Sequence, residues 1–317
     1  QWLPQSNLDL LLPPEDVGVF FCYKKVPTGT GTGSGGGGEN SSSTFGSMVS
    51  VLKKAMAQAL VSYYAFAGEF VHNTGGEPVL LCNNHGVDFF EASADVELRD
   101  INLYNPDETI QGKLLPHMNE GVLSVQATEL KCGGIVVACT FDHRVADAYS
   151  ANMFLVSWAE IAQSKPLVSL LPSFQRSLLN PRCPAGYYDP SLDDMYVPIS
   201  ALPPPKDPQP AATSNDPLIS RIYYVNADQL NCLRSLASCN GRKRTKLEAF
   251  SASLWKMVAT IATGEHMNNN ICRIGIVVDG RRRLSEGDSE KAKIMAAYFG
   301  NVLSIPFSEK RSGELKE

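Results

Sequence analysis

The most restrictive stretch of this sequence runs from residue 133 to residue 163. Residues 133–141, Gly-Gly-Ile-Val-Val-Ala-Cys-Thr-Phe, form an apolar run of strand length, and such runs belong to strands buried within a sheet. Immediately afterwards the hydrophobic period becomes helical. Ala148, Met153, Phe154, Val156, Trp158 and Ile161 share one face, which predicts an amphipathic helix to about Gln163. A buried strand, a tight turn and a packed helix commit the chain to an α/β architecture, with helices laid on a sheet.

The turn itself reads Phe141-Asp142-His143-Arg144-Val145-Ala146-Asp147-Ala148. A strand end is where a rigid scaffold aims a side chain into a cleft. Histidine suits a general base there, because an unperturbed imidazole titrates near pH ~6.5 and can take a proton from a hydroxyl at neutral pH. Asp147 lies four residues on. If the turn is already helical, that spacing sets both side chains on a similar side; otherwise the short Asp ties the turn to another element. From the pattern alone, a hydrogen-bonded buried histidine is the commoner reading of His143.

Around this unit the chain divides into an N-terminal domain over 1–165, a proline-rich crossover over 166–217 and a second domain over 218–317. Residues 28–44, rich in Gly, Ser and Thr, cannot offset their backbone entropy by burial and are expected to form a disordered surface loop. A helix is predicted over 48–66, with Val51, Leu52, Met56, Leu60, Val61, Tyr64 and Phe66 inward. Strands are predicted at 78–82, 87–91 and 122–129. In the second domain, strands are expected at 218–225, 272–278 and 298–307, and helices at 227–237 and 245–262.

Several function classes are excluded. With Lys+Arg 28 against Asp+Glu 33, the net charge is −5, a poor field for nucleic acid or anionic lipid. The longest apolar runs, such as Ile135 to Cys139, are strand-sized, so no membrane span is expected. The eight cysteines show no Cys-x-x-Cys pair, and His72, His85, His117 and His266 lack ligand spacing. No metal site is therefore expected, and the cysteines read as reduced, buried thiols of a cytoplasmic protein. The Gly-x-Ser-x-Gly match around Ser34 lies inside the glycine loop, where no strained nucleophile elbow forms. Trp158 and Trp255 read as core.

A second candidate site is Gly241-Arg-Lys-Arg-Thr245-Lys246-Leu-Glu248, where four cations accompany Thr-x-x-Glu, the signature of a capping box at a helix start. Free amides and a positive helix end suit a phosphate. A solvated basic turn explains the same residues equally well.

Four separated landmarks carry a resemblance to a known family. They are Leu3-Pro-Gln-Ser-Asn-Leu-Asp9, Tyr64-Ala-Phe-Ala-Gly-Glu69, the His143/Asp147 pair as His-x-x-x-Asp, and Asp279-Gly-Arg281-Arg-Arg-Leu284 followed by Tyr298-Phe-Gly-Asn301. In these the chain resembles the plant BAHD acyltransferases, which transfer acyl groups from coenzyme A thioesters to alcohols or amines. The resemblance implies a two-domain chloramphenicol-acetyltransferase-like α/β fold, no bound cofactor, acyl-CoA as co-substrate and a monomer. It makes His143 the general base and gives Asp147 a structural part, paired with Arg281 of the second domain. It places the CoA phosphates near Thr245 and Lys246, with Arg244 a weaker contact. Ser6 to Pro13, Gly18 to Lys24 and Leu81 to Asn84 are most similar to coniferyl alcohol acyltransferases, with shikimate hydroxycinnamoyltransferases a near relative.

The family's Asp-Phe-Gly-Trp-Gly motif does not occur in the sequence, and the first residue is Gln1. A partial chain with an incomplete second domain is the expectation. A BAHD-like chain that binds CoA without catalysis is the rival expectation from another class.

Overall fold

The computed structural model describes residues 1–25, 44–166, 170–180, 184, 190, 193, 219–238, 241–263 and 270–315. The glycine loop up to residue 43, most of the 166–217 crossover, Cys183 and His266 lie outside the described residues. In chain order the elements are β1 (Trp2–Leu3), β2 (Asp16–Tyr23), α1 (Phe45–Ser62), β3 (Glu69–His72), β4 (Pro78–Leu81), β5 (Asp88–Ala94), α2 (Pro106–Thr109), β6 (Leu123–Leu130), β7 (Ile135–Asp142) and α3 (Ala148–Ala162). They continue with α4 (Ala227–Ala237), α5 (Lys246–Thr263), β8 (Ile271–Gly275), β9 (Val278–Asp279), α6 (Arg281–Leu284), α7 (Ser289–Ala297), β10 (Leu303–Ser304) and β11 (Phe307–Arg311).

Two compact units form. The larger comprises Gln1–Gly186, Ile219–Arg221 and Asp279–Leu303; the smaller comprises Tyr187–Leu218, Ile222–Val278 and Ser304–Glu317. Residues 279–303, which follow the crossover in sequence, thus pack with the N-terminal part of the chain, so the compact units do not follow the linear division at 165 and 218.

In the larger unit a mixed sheet runs β2-β7-β6-β5, with β2/β7 and β7/β6 antiparallel and β6/β5 parallel. The central strands β6 and β7 are nearly continuous in burial; β7 is apolar, while β6 also buries Ser124, Gln126 and Thr128, the last two hydrogen-bonded to each other. One face is covered by α1, the turn that follows it and α3, through Met56, Ala59, Phe66 and Phe154 against Leu123, Val125, Cys139 and Phe141. Ile110 and Leu114 form a second cluster with Leu130 and Val136. Tyr63, Phe66, Phe154 and Phe299 meet edge to face at centroid distances of 5.0 to 5.5 Å. A three-stranded antiparallel sheet, β1-β4-β3, completes the unit. In the smaller unit, β8 pairs with β11 antiparallel, and α4 packs against α5.

Helix α1 begins where Thr44 accepts a hydrogen bond from Ser47 N at 3.3 Å and stops at Ser62, with Tyr64–Ala67 forming a separate 3-10 turn. The buried stripe is Val49, Ala55, Met56 and Ala59; Val51 and Val61 are exposed, the latter at 77%. This is the face of α1 turned inward, which leaves Val51 and Val61 on the solvent side. Val156 on α3 is likewise exposed. The strand expected at 218–225 is absent among the described residues, where 219–226 carry no strand pairing and Tyr224 is 90% exposed. Of 298–307, only Leu303–Ser304 and Phe307 are in strands. Tyr298–Val302 makes only an isolated bridge, Tyr298 with Ser173, because side chains take up most of its main-chain groups, as described below. The buried-thiol expectation fails for Cys22, Cys132 and Cys232, which are exposed.

Candidate active site

His143 sits one residue beyond β7, in a turn anchored at both ends. Its N–H donates to Glu15 O at 2.9 Å, and Val145 N–H donates to Asp142 O at 3.0 Å. Asp142 fixes the following residue as well, accepting from Arg144 N at 2.8 Å and from its guanidinium at 2.6 to 3.2 Å. The Arg144 plane lies 4.0 Å from the Phe70 centroid. Across the β2/β7 register, Asp16 faces Asp142. Burial first, and then the Asp142 charge, push the Asp16 carboxyl above the usual range. His143 is half-buried, and its Nδ1 is buried without a hydrogen-bond partner among the described residues.

Asp147 is not on a helical turn with His143. Its backbone is extended, φ −79° and ψ 176°, and its side chain caps α3 by accepting from Ser150 N at 2.9 Å. The carboxylate is 1% exposed and faces the Arg281 guanidinium in a bidentate pair, at 2.7 and 3.1 Å. Val302 N–H donates to it at 3.0 Å. Arg281, 4% exposed, also donates to Asp279 Oδ1, Ser150 Oγ, Tyr298 O and Gly300 O, and lies over the Tyr149 ring at 4.4 Å. So many acceptors are what a buried guanidinium requires. Both partners lie in the larger unit.

The Tyr298-Phe-Gly-Asn301 stretch is the hub of this network. Ser150 Oγ donates to Gly300 O at 2.9 Å and accepts from Gly300 N at 3.0 Å. Arg176 donates to Phe299 O and to the Tyr298 hydroxyl. Gly300 has φ +144°, and a Cβ built there would lie 2.7 Å from Arg176 Nη1, which is why glycine occupies the position. Asn301, fully buried, donates from Nδ2 to Asp9 Oδ1 at 2.9 Å, His143 O at 2.9 Å and Arg144 O at 3.2 Å. Sequence reasoning used Asp9 and Asn301 only as landmarks and missed Ser150 and Arg176. The available signal was a polar residue set within apolar motifs, as in Ser-Asn-Leu-Asp-Leu and Tyr-Phe-Gly-Asn-Val.

In the smaller unit the capping box forms as the spacing implied. Thr245 N–H donates to Glu248 Oε2 at 2.7 Å, and Glu248 N–H to Thr245 Oγ1 at 3.1 Å. The Thr245 amide holds the Glu248 carboxyl below the usual range. The box leaves the amides of Lys246 and Leu247 to other acceptors. Beside it lies a cavity of about 310 Å³ lined by Arg234, Ser235, Ser238, Lys243 and Arg244. Arg244 therefore faces a basic recess, whereas Thr245 and Lys246 do not line it. Among the described residues, no helix is long and apolar enough to cross a membrane, and no group of three or more His, Cys, Asp or Glu is placed to hold a metal ion.

The model of the Transferase family matches residues 1–317. Among curated proteins, the chain is 27% identical over 282 residues to omega-hydroxypalmitate O-feruloyl transferase of Arabidopsis thaliana, covering 85% of this chain and 58% of that protein. It is 28% identical over 324 residues to hydroxycinnamoyltransferase of Narcissus pseudonarcissus, covering 99% of this chain and 68% of the relative. Against the first three relatives matched, the chain spans only 56 to 59% of their length. Among solved structures, vinorine synthase superposes with a TM-score of 0.66 at 19% identity, covering 98% of this chain and 67% of that one. TRI101 of F. sporotrichioides, complexed with coenzyme A and T-2, gives 0.62 at 12% identity, covering 95% and 66%. These two likenesses establish the fold: mixed α/β, of the two-domain chloramphenicol-acetyltransferase-like kind.

Proposed function

We propose that this chain, which belongs to the Transferase family of BAHD acyltransferases, transfers an acyl group from a coenzyme A thioester to the hydroxyl of a phenylpropanoid alcohol such as coniferyl alcohol. The observation that carries the reading is the separation of roles at the strand end. His143 is held by its main chain, while Asp147 faces Arg281.

In this mechanism neutral His143 takes the proton of the acceptor hydroxyl as its oxygen attacks the thioester carbonyl carbon. The tetrahedral oxyanion collapses with rupture of the C–S bond, and the imidazolium returns its proton to the departing CoA sulfur. No covalent enzyme intermediate forms, so positioning of the two substrates supplies much of the rate. Asp147 and Arg281 hold the scaffold. Thr245, Lys246 and Arg244 bind the CoA phosphates; Arg244 and its neighbours Arg234 and Lys243 provide the positive recess that a polyanion needs. The protein acts in the cytoplasm as a monomer with no metal or resident cofactor.

A second reading, hydroxycinnamoyl transfer to shikimate or quinate, is favoured by the hydroxycinnamoyltransferases of Narcissus pseudonarcissus and Oryza sativa among the relatives. Mass spectrometry of products from acetyl-CoA and p-coumaroyl-CoA, each with coniferyl alcohol and with shikimate, separates the two. The first reading expects a coniferyl ester. A shikimate ester selects the second reading, and CoA binding without any ester would replace both with a binding protein. Size-exclusion chromatography with light scattering tests the monomer.

A further inference from the structure

Nothing among the described residues orients the His143 ring through Nδ1, which is buried and unpartnered. Asp147, the acid that the sequence places nearest beyond the turn, faces Arg281 and Val302. The direction of the imidazole therefore falls to the main chain that carries it. That main chain is gripped from both sides: the His143 N–H by Glu15 O at 2.9 Å, and the His143 carbonyl by Asn301 Nδ2 at 2.9 Å. The same nitrogen reaches Arg144 O at 3.2 Å, so two successive peptide planes share one donor.

The orientation of the Asn301 amide is itself determined. Its nitrogen faces three oxygens, and a flipped amide would set Oδ1 against all three. Asp9 holds it there, accepting from Asn301 N–H at 2.8 Å and from Nδ2 at 2.9 Å on Oδ1. Asp9 is fixed in turn through Oδ2, which accepts from Ser6 N at 2.8 Å and Ser6 Oγ at 2.7 Å, with Arg176 at 3.9 Å. A buried relay thus runs from Ser6 through Asp9 and Asn301 to the peptide that carries the base.

We propose that Asn301, oriented by Asp9, is the positioning residue of His143: it fixes the carbonyls of residues 143 and 144 and so sets the aim of the imidazole. The inference rests on the acyl-transfer reading of the site but is testable without it. A misplacement of about 1 Å costs on the order of a hundredfold in rate, and the loss belongs in kcat because the substrates' binding groups are untouched.

The test compares wild type, Asn301→Ala, Asn301→Ser and His143→Gln in the full chain. Thermal denaturation, kcat and KM are measured, together with the imidazole ¹⁵N signals of histidine-labelled protein, His143 being identified by its absence in His143→Gln. The expected result for Asn301→Ala is a kcat lower by roughly 10- to 100-fold with KM within about 3-fold, and a shifted or broadened His143 ring signal. Asn301→Ser, whose hydroxyl keeps one donor, should recover part of both, and it carries the test alone if Asn301→Ala does not fold. Folded variants that lose thermal stability but keep the wild-type His143 signal and kcat would overturn the proposal and leave Asn301 a stabilising residue only. A shifted ring signal in a protein whose wild type makes no ester would support the positioning role and refute the acyl-transfer reading.

Discussion

Replacing Asp147 by Asn removes one charge and almost no volume, so its consequence can be worked from the hydrogen bonds. Oδ2 accepts from Arg281 Nη1 at 2.7 Å and Val302 N at 3.0 Å; an amide nitrogen there turns both attractions into donor–donor contacts. Oδ1 still caps Ser150 N. Arg281, 4% exposed, then keeps a single carboxylate, Asp279 at 3.0 Å, whose side chain is half exposed. Breaking one side of a buried ion pair costs about 3–5 kcal/mol, and the surviving Asp279 contact puts the value toward the lower end. For a unit of this size, 1 kcal/mol moves Tm by roughly 2–4 °C, so Asp147→Asn should melt about 6–12 °C below wild type. Circular-dichroism melts alongside the product assay at 15 °C provide the check. Protein that remains folded at that temperature should retain most of its transfer rate. A variant with wild-type Tm and no transfer would refute the structural role and put Asp147 in the proton path.

Three further outcomes follow from separate parts of the structure. Gly300→Ala places a Cβ 2.7 Å from Arg176 Nη1 at φ +144° and should destabilise by about 1–3 kcal/mol, measured by urea denaturation; an unchanged midpoint would contradict the clamp. Burial pushes the Cys139 thiol up to about 12, leaving roughly 10⁻⁴ of it ionised at pH 8, while hydrogen bonds from the Leu98 and Gly134 amides lower the exposed Cys132. Native alkylation followed by peptide mapping should thus modify Cys132 well before Cys139. Because the folded pKa of Cys139 is raised, its contribution to stability is complete below the unfolded value near 9 and is lost as pH rises toward 12. Lys246→Ala and Arg244→Ala should each raise the KM for acyl-CoA several-fold with little change in kcat, the effect shrinking with added salt; an unchanged KM would remove these residues from the CoA site.

The β7–turn–α3 unit was legible because both periods are strong and the element is local: residues 133–141 and 148–163 fall within two or three residues of β7 and α3. Helix α4 was read to its ends, 227–237, and the structure adds a capping box of Asn226 and Gln229 at its start. What the sequence could not convey was tertiary. The stretch Tyr298–Val302 has the apolar composition of a strand, yet Arg281, Ser150, Arg176 and Asp9 satisfy its backbone from distant positions, and no local pattern encodes that. The Asp147–Arg281 pair was reached only through resemblance, because a separation of 134 residues leaves no trace in spacing. The partnerships of Asn301 were invisible for the same reason. Helical spacing sets Val51 and Val61 inward, whereas the face of α1 that packs carries Val49, Ala55, Met56 and Ala59, a rotation of the buried stripe that the α1 period alone does not fix.

The central claim is that the imidazole of His143 is the base for acyl transfer. Single-turnover transfer from a bound acyl-CoA to the alcohol, compared between wild type and His143→Ala of matched thermal stability, addresses it directly. The account predicts a rate loss of about 10²–10⁴-fold, with acyl-CoA affinity unchanged. A His143→Ala protein that forms the ester within a few-fold of the wild-type rate would contradict it.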